Sequence, residues 1–297
     1  MPTASSLLIA CTFAPLGTKV DVAVSGGPDS VGLLLLAIEQ GLIVTVHHVD
    51  HHARSTSSDD ASMVESLATK LGVPCVVHNV DVAAGGNFES RARSARRATL
   101  PPGVLTGHTM DDLAETVLLN LLRGAGVDGL SPLVGDSTKP LLGVRRSDLH
   151  EFVSAQSFEV VHDETNDSPI FLRNRVRHEV LPLLNDIAQR DVVPIVARQA
   201  WLMGEERAWL DQLLRRDVER SLDAVDCREI REWPLARQRR WLRYHLRLAD
   251  DGDGEHPPSA DDVERALGVV RGDVIATEIT GGRRLSRSGQ YLALAKN

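Results

Sequence analysis

Cysteine is scarce in this chain: Cys11, Cys75 and Cys227 are the only three among 297 residues. They stand far apart and form no Cys-x-x-Cys pair. That argues against a zinc ribbon, an iron–sulfur site or a disulfide framework, and it fits a reducing cytoplasm as the expected location. No stretch reaches the length of a transmembrane helix, so no membrane partner is expected. Leu8-Ile9-Ala10-Cys11 has the outline of a lipoprotein cleavage site, but no basic residue precedes it and the apolar run is very short; it reads as mature protein. Internal repeats and low-complexity tracts are also missing. Positive charge is in deficit, with 33 Lys and Arg against 41 Asp and Glu and a formal net charge of -8, which taken alone disfavours a nucleic-acid partner. Distribution counts for more than the sum. Arginines cluster at Arg91, Arg93, Arg96 and Arg97, at Arg173, Arg175 and Arg177, and from Arg237 to Arg247, while acids gather in Asp250-Asp251-Gly252-Asp253-Gly254-Glu255. A polyanion can dock along the arginines, although any one cluster also reads as a solvated helix face. The remaining composition, 42% apolar and 25% charged, is that of a globular chain long enough for two modest domains.

What is present is a strand running into a glycine turn and then a helix. Val20-Asp21-Val22-Ala23-Val24 leads into Ser25-Gly26-Gly27-Pro28-Asp29-Ser30 and on to Val31-Gly32-Leu33-Leu34. Two glycines let the backbone bend and approach a ligand, and the free N–H groups at a helix start, with the positive end of its dipole, suit a polyanion. The Gly-Lys-Ser/Thr ending of a Walker A loop is absent, so γ-phosphate transfer is not the natural reading. The segment resembles the loop of the PP-loop ATPases. That resemblance implies cleavage of ATP between the α and β phosphates, with pyrophosphate held in the loop and AMP passed to the substrate.

Further along, Leu42 to Val49 and Cys75 to Val80 read as strands, Asp59 to Leu71 and Glu89 to Leu100 as helices, Val104-Leu105-Thr106 as a short fourth strand, and Asp111 to Leu122 as a helix. Strand–helix alternation predicts an α/β fold with a doubly wound, mostly parallel sheet. In such sheets the ligand lies beyond the strands' carboxyl ends, where Ser25 to Ser30, His48 to His52 and Gly107-His108 all begin. From about Asp191 the pattern becomes helical, up to Glu219 and again over Trp233 to Leu248 and Asp261 to Val270, before small strands from Val274 to Leu294. The expected boundary lies between Pro182 and Asp191, giving a catalytic domain over 1–186 and a mainly helical second domain over 187–297. His47 and His48, adjacent on a strand, must face opposite ways, so packing and local hydrogen bonding are expected of the histidines there rather than a shared metal. The four tryptophans lie on helical patterns and are read mostly as core.

Gly107-His108-Thr109-Met110-Asp111-Asp112-Leu113-Ala114-Glu115 lies at a strand-to-helix junction, where His108, Asp111, Asp112 and Glu115 fall on neighbouring positions of one helical face. Crowded acids need a cation or a cationic partner among them, and hard oxygen donors suit Mg²⁺. Helix capping by Thr109 and the helix dipole account for Asp111 and Asp112 without a metal, but they leave His108 beside the phosphate loop unexplained.

Taken with the loop, these motifs resemble the tRNA(Ile)-lysidine synthetases. The resemblance is carried by His48-Val49-Asp50-His51 with Arg54 and Ser55, by Asn87-Phe88-Glu89-Ser90 with Arg91 and Arg93, and by Thr106 through Gly124. Lys139-Pro140-Leu141-Leu142 with Arg145 adds to it, as do Asp163-Glu164-Thr165-Asn166 and Phe171 through Arg177. Thr109 departs from that pattern where a second histidine is usual, Leu113 where glutamine is usual, and Arg97 where tyrosine is common. The resemblance implies an enzyme that uses ATP and Mg²⁺ to join free L-lysine to C2 of the wobble cytidine of tRNA(Ile) with a CAU anticodon, through an adenylated cytidine. The codon read changes from AUG to AUA. It implies that Ser25, Gly26, Gly27, Pro28, Asp29 and Ser30 bind the nucleotide, and that Asp29 and Asp111 hold Mg²⁺ with Asp112 in support. His108 orients a phosphate or the reacting carbonyl, and Arg173 joins these as a catalytic candidate. Arg91, Arg175, Arg177, Arg239, Arg240 and Arg243 are candidate tRNA contacts. A tRNA thiolase of the same superfamily and a non-catalytic nucleotide sensor are the alternatives, and the choice between monomer and homodimer stays open.

Overall fold

β1 (Lys19–Ala23), β2 (Ile43–Asp50) and β3 (Cys75–Asn79) run parallel in that order. This computed structural model describes residues 1–50, 57–80, 98–156, 158, 160, 172–248 and 258–296. Beyond the free side of β1, Leu105 bridges Val22 in parallel: Ala23 N–H donates to Leu105 O at 2.9 Å and Leu105 N–H to Asp21 O at 2.8 Å. The expected fourth strand is thus reduced to a single bridge. The chain moves outward from β1 to β3 and then returns to the opposite flank of β1, so the strand order reverses there. A ligand crevice opens at such a reversal, beyond the carboxyl ends.

α1 (Ala4–Leu8) precedes the sheet, and α2 (Pro28–Glu39) and α3 (Ser57–Leu71) connect its strands. Pro28 starts α2 well because its fixed φ is helical and its missing N–H would have no helical partner. Val31, Leu33, Leu34 and Leu36 of α2 are fully buried with Val22, Val46 and Val64 in one core. α4 (Met110–Leu122) and α5 (Arg146–Ser154) follow. A helical run then begins with the turn Leu172–Arg175, passes through a π-helical turn Val176–Val180 and continues as α6 (Leu181–Ala188). α7 spans Val193–Leu213. It stops short of the Glu219 expected from periodicity, with a separate turn over Arg215–Val218.

The chain divides into two compact units, Met1–Gly204 and Glu205–Asn297. The first unit runs past residue 186 because Ala197 and Ala200 of α7 are buried against Leu113, Val117 and Leu142. The second unit holds α8 (Cys227–Glu232), α9 (Leu235–Leu248), α10 (Ala260–Arg271) and an antiparallel sheet of β4 (Ala276–Ile279), β5 (Arg283–Ser288) and β6 (Tyr291–Lys296). Its core is built on Ile230, Trp241, Leu242, Leu246, Leu267 and Leu285. Trp233 belongs to the same core and Trp201 is half-buried, but Trp209 is exposed. His47 and His48 face opposite sides of the sheet. His47 lies between Asp21 Oδ1 and His78 Nε2, each at 2.9 Å, and His48 Nδ1 meets Val24 O at 2.8 Å. These are packing and hydrogen-bonding roles. Among the described residues no helix is long and apolar enough to cross a membrane.

Candidate active site

The phosphate loop is held by one hydroxyl. Ser30 Oγ donates to Gly27 O at 2.9 Å, accepts from Ser25 N–H at 3.1 Å and lies 3.2 Å from Ser25 Oγ. Gly26 takes φ of 90°, a left-handed conformation that suits glycine and turns the chain into α2. Ser30→Ala should lower ATP–pyrophosphate exchange by about tenfold or more while costing about 1 kcal/mol of stability, since two ordinary hydrogen bonds that shape the loop are lost. Exchange at the parent rate in the folded variant would remove Ser30 from the site.

The second wall starts where Leu105 leaves the sheet. Gly107 lies so close to the loop that a Cβ there would sit 2.7 Å from Asp29 O and 3.1 Å from Ser30 N. His108 follows, its Nδ1 2.9 Å from Thr106 Oγ1. Thr109 caps α4, and both its N–H (2.8 Å) and its Oγ1 (2.9 Å) donate to Asp112 Oδ2. The other oxygen of Asp112 accepts from Arg146 Nη2 at 2.8 Å. Burial pushes the Asp112 carboxyl up, but the Arg146 charge, the Thr109 N–H and the nearby His108 and Arg173 outweigh it and hold the group at about 2. Asp112 is therefore ionised and committed to Thr109 and Arg146.

Arginines supply the cations that the crowded acids require. Asp111 takes Arg145 on both oxygens, at 3.1 and 3.2 Å, and the Arg146 backbone N–H at 2.8 Å. Arg145 also pairs with Asp191. Glu115, with a fully buried side chain, accepts from Arg146 Nη1 (2.9 Å) and from Arg177 Nε and Nη2 (2.8 and 3.2 Å), and Arg173 Nε lies 3.4 Å away. Burial works against the charge of Arg146, yet Asp112, Glu115 and Asp29 overcome it and raise its pKa.

Asp29 is placed differently. Its Oδ1 is 2.8 Å from His150 Nε2, and its Oδ2 is 3.6 Å from Arg146 Nε, beyond hydrogen-bond range. Among the described residues no group of three or more His, Cys, Asp or Glu is placed to hold a metal ion. A magnesium ion carried by nucleotide phosphates needs only one or two protein carboxylates. Asp29, whose Oδ2 makes only the looser ion pair with Arg146 and accepts no hydrogen bond, fits that requirement better than Asp111, whose two oxygens are both hydrogen-bonded.

A PP-loop domain family matches residues 10–184 of this chain. The tRNA(Ile)-lysidine synthase of Thermosynechococcus vestitus is 32% identical over 96% of this chain and 88% of its own length. Those of Thermobifida fusca (37% identical, 77% of this chain and 76% of the relative) and Rhodococcus opacus (38% identical, 80% of each) are similar too. The chain belongs to the tRNA(Ile)-lysidine synthase family.

For a member of that family, the structure sorts the arginines that the sequence had grouped. Arg173 turns inward, donating from Nη2 to Thr116 Oγ1 at 2.7 Å, and Arg177 turns onto Glu115. Arg175, between them, faces outward and pairs with Glu179 at 2.8 Å. On α9, Arg239 pairs with Glu264 (2.6 Å) and Arg240 with Asp211 (2.8 Å). Arg243 lies on the same helix. Arg91 and the rest of its cluster, the helix expected over Glu89 to Leu100, His51 with Arg54 and Ser55, Asp163 to Asn166 and the acidic linker lie wholly or largely outside the described residues. Sequence reasoning missed Arg146, His150 and the part played by Glu115. The available signal was the need of Asp112 and Glu115 for cationic partners, but nothing local says which arginines answer it.

Proposed function

We infer that this protein joins free L-lysine to C2 of the wobble cytidine in the CAU anticodon of tRNA(Ile), consuming ATP and releasing AMP and pyrophosphate. The observation that carries this reading is the family relationship over most of the chain, and the loop at the reversal of strand order supports the use of ATP. The cytosine C2 carbonyl is a poor electrophile because the ring nitrogens feed electron density to that carbon. Attack of its oxygen on the α phosphate expels pyrophosphate and makes AMP the later leaving group, so that a lysine amine can add at C2. In the loop, Ser25, Gly26, Gly27, Pro28 and Ser30 would hold the pyrophosphate end of ATP, and Asp29 would offer an oxygen to a magnesium ion, whose charge would offset that of the phosphates. His108, held through Nδ1 by Thr106, is our candidate for orienting a phosphate or the carbonyl. Arg173, anchored by Thr116 and Glu115, offers charge toward the adenylate, while Asp111 and Asp112 hold Arg145 and Arg146 in place. The base must be unstacked to react, which suits an anticodon loop. The second unit is our proposed tRNA-binding domain, with Arg239, Arg240 and Arg243 on α9, and Arg91, Arg175 and Arg177 as contacts from the first.

Incubation with tRNA(Ile), ATP, MgCl2 and lysine, followed by mass analysis of the nucleosides, tests this directly. The expected product is a lysine-substituted cytidine that vanishes when lysine is omitted. The same assay separates lysine transfer from thiolation. Burial pushes the Cys11 thiol up to about 12 and raises those of Cys75 and Cys227, so none is a ready thiolate nucleophile. A protein with all three cysteines replaced by serine should keep most of its lysine-dependent activity. A product that requires a sulfur donor instead of lysine would overturn the reading.

A further inference from the structure

Gly32 lies in the second turn of α2, where a Cβ would come 2.6 Å from Leu149 Cδ1 of α5. Without that Cβ the two helices pack closely, with Leu149 fully buried. The close packing brings Arg146 and His150, four residues apart and so on one face of α5, to the first turn of α2. They address opposite oxygens of Asp29. His150 Nε2 is at hydrogen-bond distance from Oδ1, 2.8 Å, whereas Arg146 Nε stops 3.6 Å from Oδ2. Arg146 is not free to close that gap, because Nη1 is bound to Glu115 and Nη2 to Asp112. Its Nε is buried without a hydrogen-bond partner. A buried, unsatisfied N–H on a cation attracts a neighbouring carboxylate strongly. Asp29 released from His150 would therefore tighten its 3.6 Å ion pair with Arg146 into a hydrogen bond that takes up Oδ2.

We propose that His150 is a positioning residue for the phosphate loop: its Nε2–H holds the Asp29 carboxylate out of hydrogen-bond range of Arg146, so that Oδ2 stays available to a magnesium–nucleotide. This rests on the reading of the loop as the ATP site. Donation to Asp29 requires a proton on Nε2, and the proposed role is orientation, which a neutral amide N–H at that place can also supply. Glutamine places an amide N–H near the position of Nε2, while asparagine falls short of it.

Full-length His150→Ala, His150→Gln and His150→Asn test the proposal by calorimetric titration with ATP in excess MgCl2. The alanine and asparagine variants should bind ATP about tenfold more weakly, the scale of one hydrogen bond to a charged group. Glutamine should restore affinity, and all melting temperatures should match the parent because His150 is half-exposed. In exchange assays the KM for ATP should rise with little change in kcat. Equal ATP affinity in the parent and His150→Ala, or a glutamine variant as weak as alanine, would overturn the proposal. So would a melting temperature that falls together with affinity, since His150 would then only stabilise the fold. A parent protein that binds no ATP would instead overturn the reading of the loop, which keeps the two failures apart.

Discussion

Glu115→Gln should be the most damaging single change in the first unit, lowering the free energy of unfolding by about 3 kcal/mol and abolishing most lysidine formation. The Glu115 side chain is fully buried and faces Arg146, Arg173 and Arg177. Removing one side of a buried charge cluster costs about 3–5 kcal/mol, because the remaining charges cannot rehydrate. The lower end applies here, since the Arg173 and Arg177 side chains retain 33% and 26% exposure and so meet some water. Glutamine keeps the shape of the side chain, so the loss measures charge and not a cavity. Urea unfolding gives the stability change, and nucleoside analysis well below the melting temperature gives the activity. Activity should fall further than the unfolded fraction explains, because Arg173 and Arg146 lose their fixed positions on the site wall. Parent-like stability would mean that the three arginines accept an amide oxygen as readily as a carboxylate.

Gly107→Ala should weaken ATP binding by about tenfold or more, with a stability loss of about 1–3 kcal/mol. The added methyl would meet Asp29 O at 2.7 Å, Asp29 C at 2.8 Å and Ser30 N at 3.1 Å, all backbone atoms of the phosphate loop. None of these belongs to a flexible side chain that can swing away. The strand end, the loop or both must shift, and the Ser30 hydrogen bonds that close the loop are the first to stretch. The backbone of Gly107 does not need the left-handed region, so the effect comes from the methyl group rather than from strain at the residue. Calorimetry with ATP, read beside the melting temperature, checks it. An alanine variant with parent ATP affinity would mean that the loop tolerates displacement and that its present shape is not the binding shape.

The sequence by itself determined the features whose causes are local. A β-branched run followed by Gly26-Gly27-Pro28 specifies a strand, a tight turn and a helix start, because glycine permits the turn and Pro28 suits the first helical position. Thr109 with Asp112 three residues on marks the start of α4 through a bond that spans a single turn. Alternating strands and helices imply a parallel sheet, and from that the loop and His108 fall at neighbouring strand ends. Tertiary structure alone decided which charges meet. Asp29 and His150 lie 121 residues apart in sequence, and Glu115 and Arg177 lie 62 apart. Their pairing depends on how closely α2 and α5 pack across Gly32 and on which way the helical run from Leu172 turns its side chains. Three arginines at alternate positions look equivalent in sequence, yet the turn of that run sends Arg173 and Arg177 to Glu115 and Arg175 to Glu179. The acids of α4 were legible as a cluster needing cations. That the cations are guanidiniums is a consequence of long-range packing, because a buried carboxylate takes whatever positive charge the neighbouring elements bring within reach.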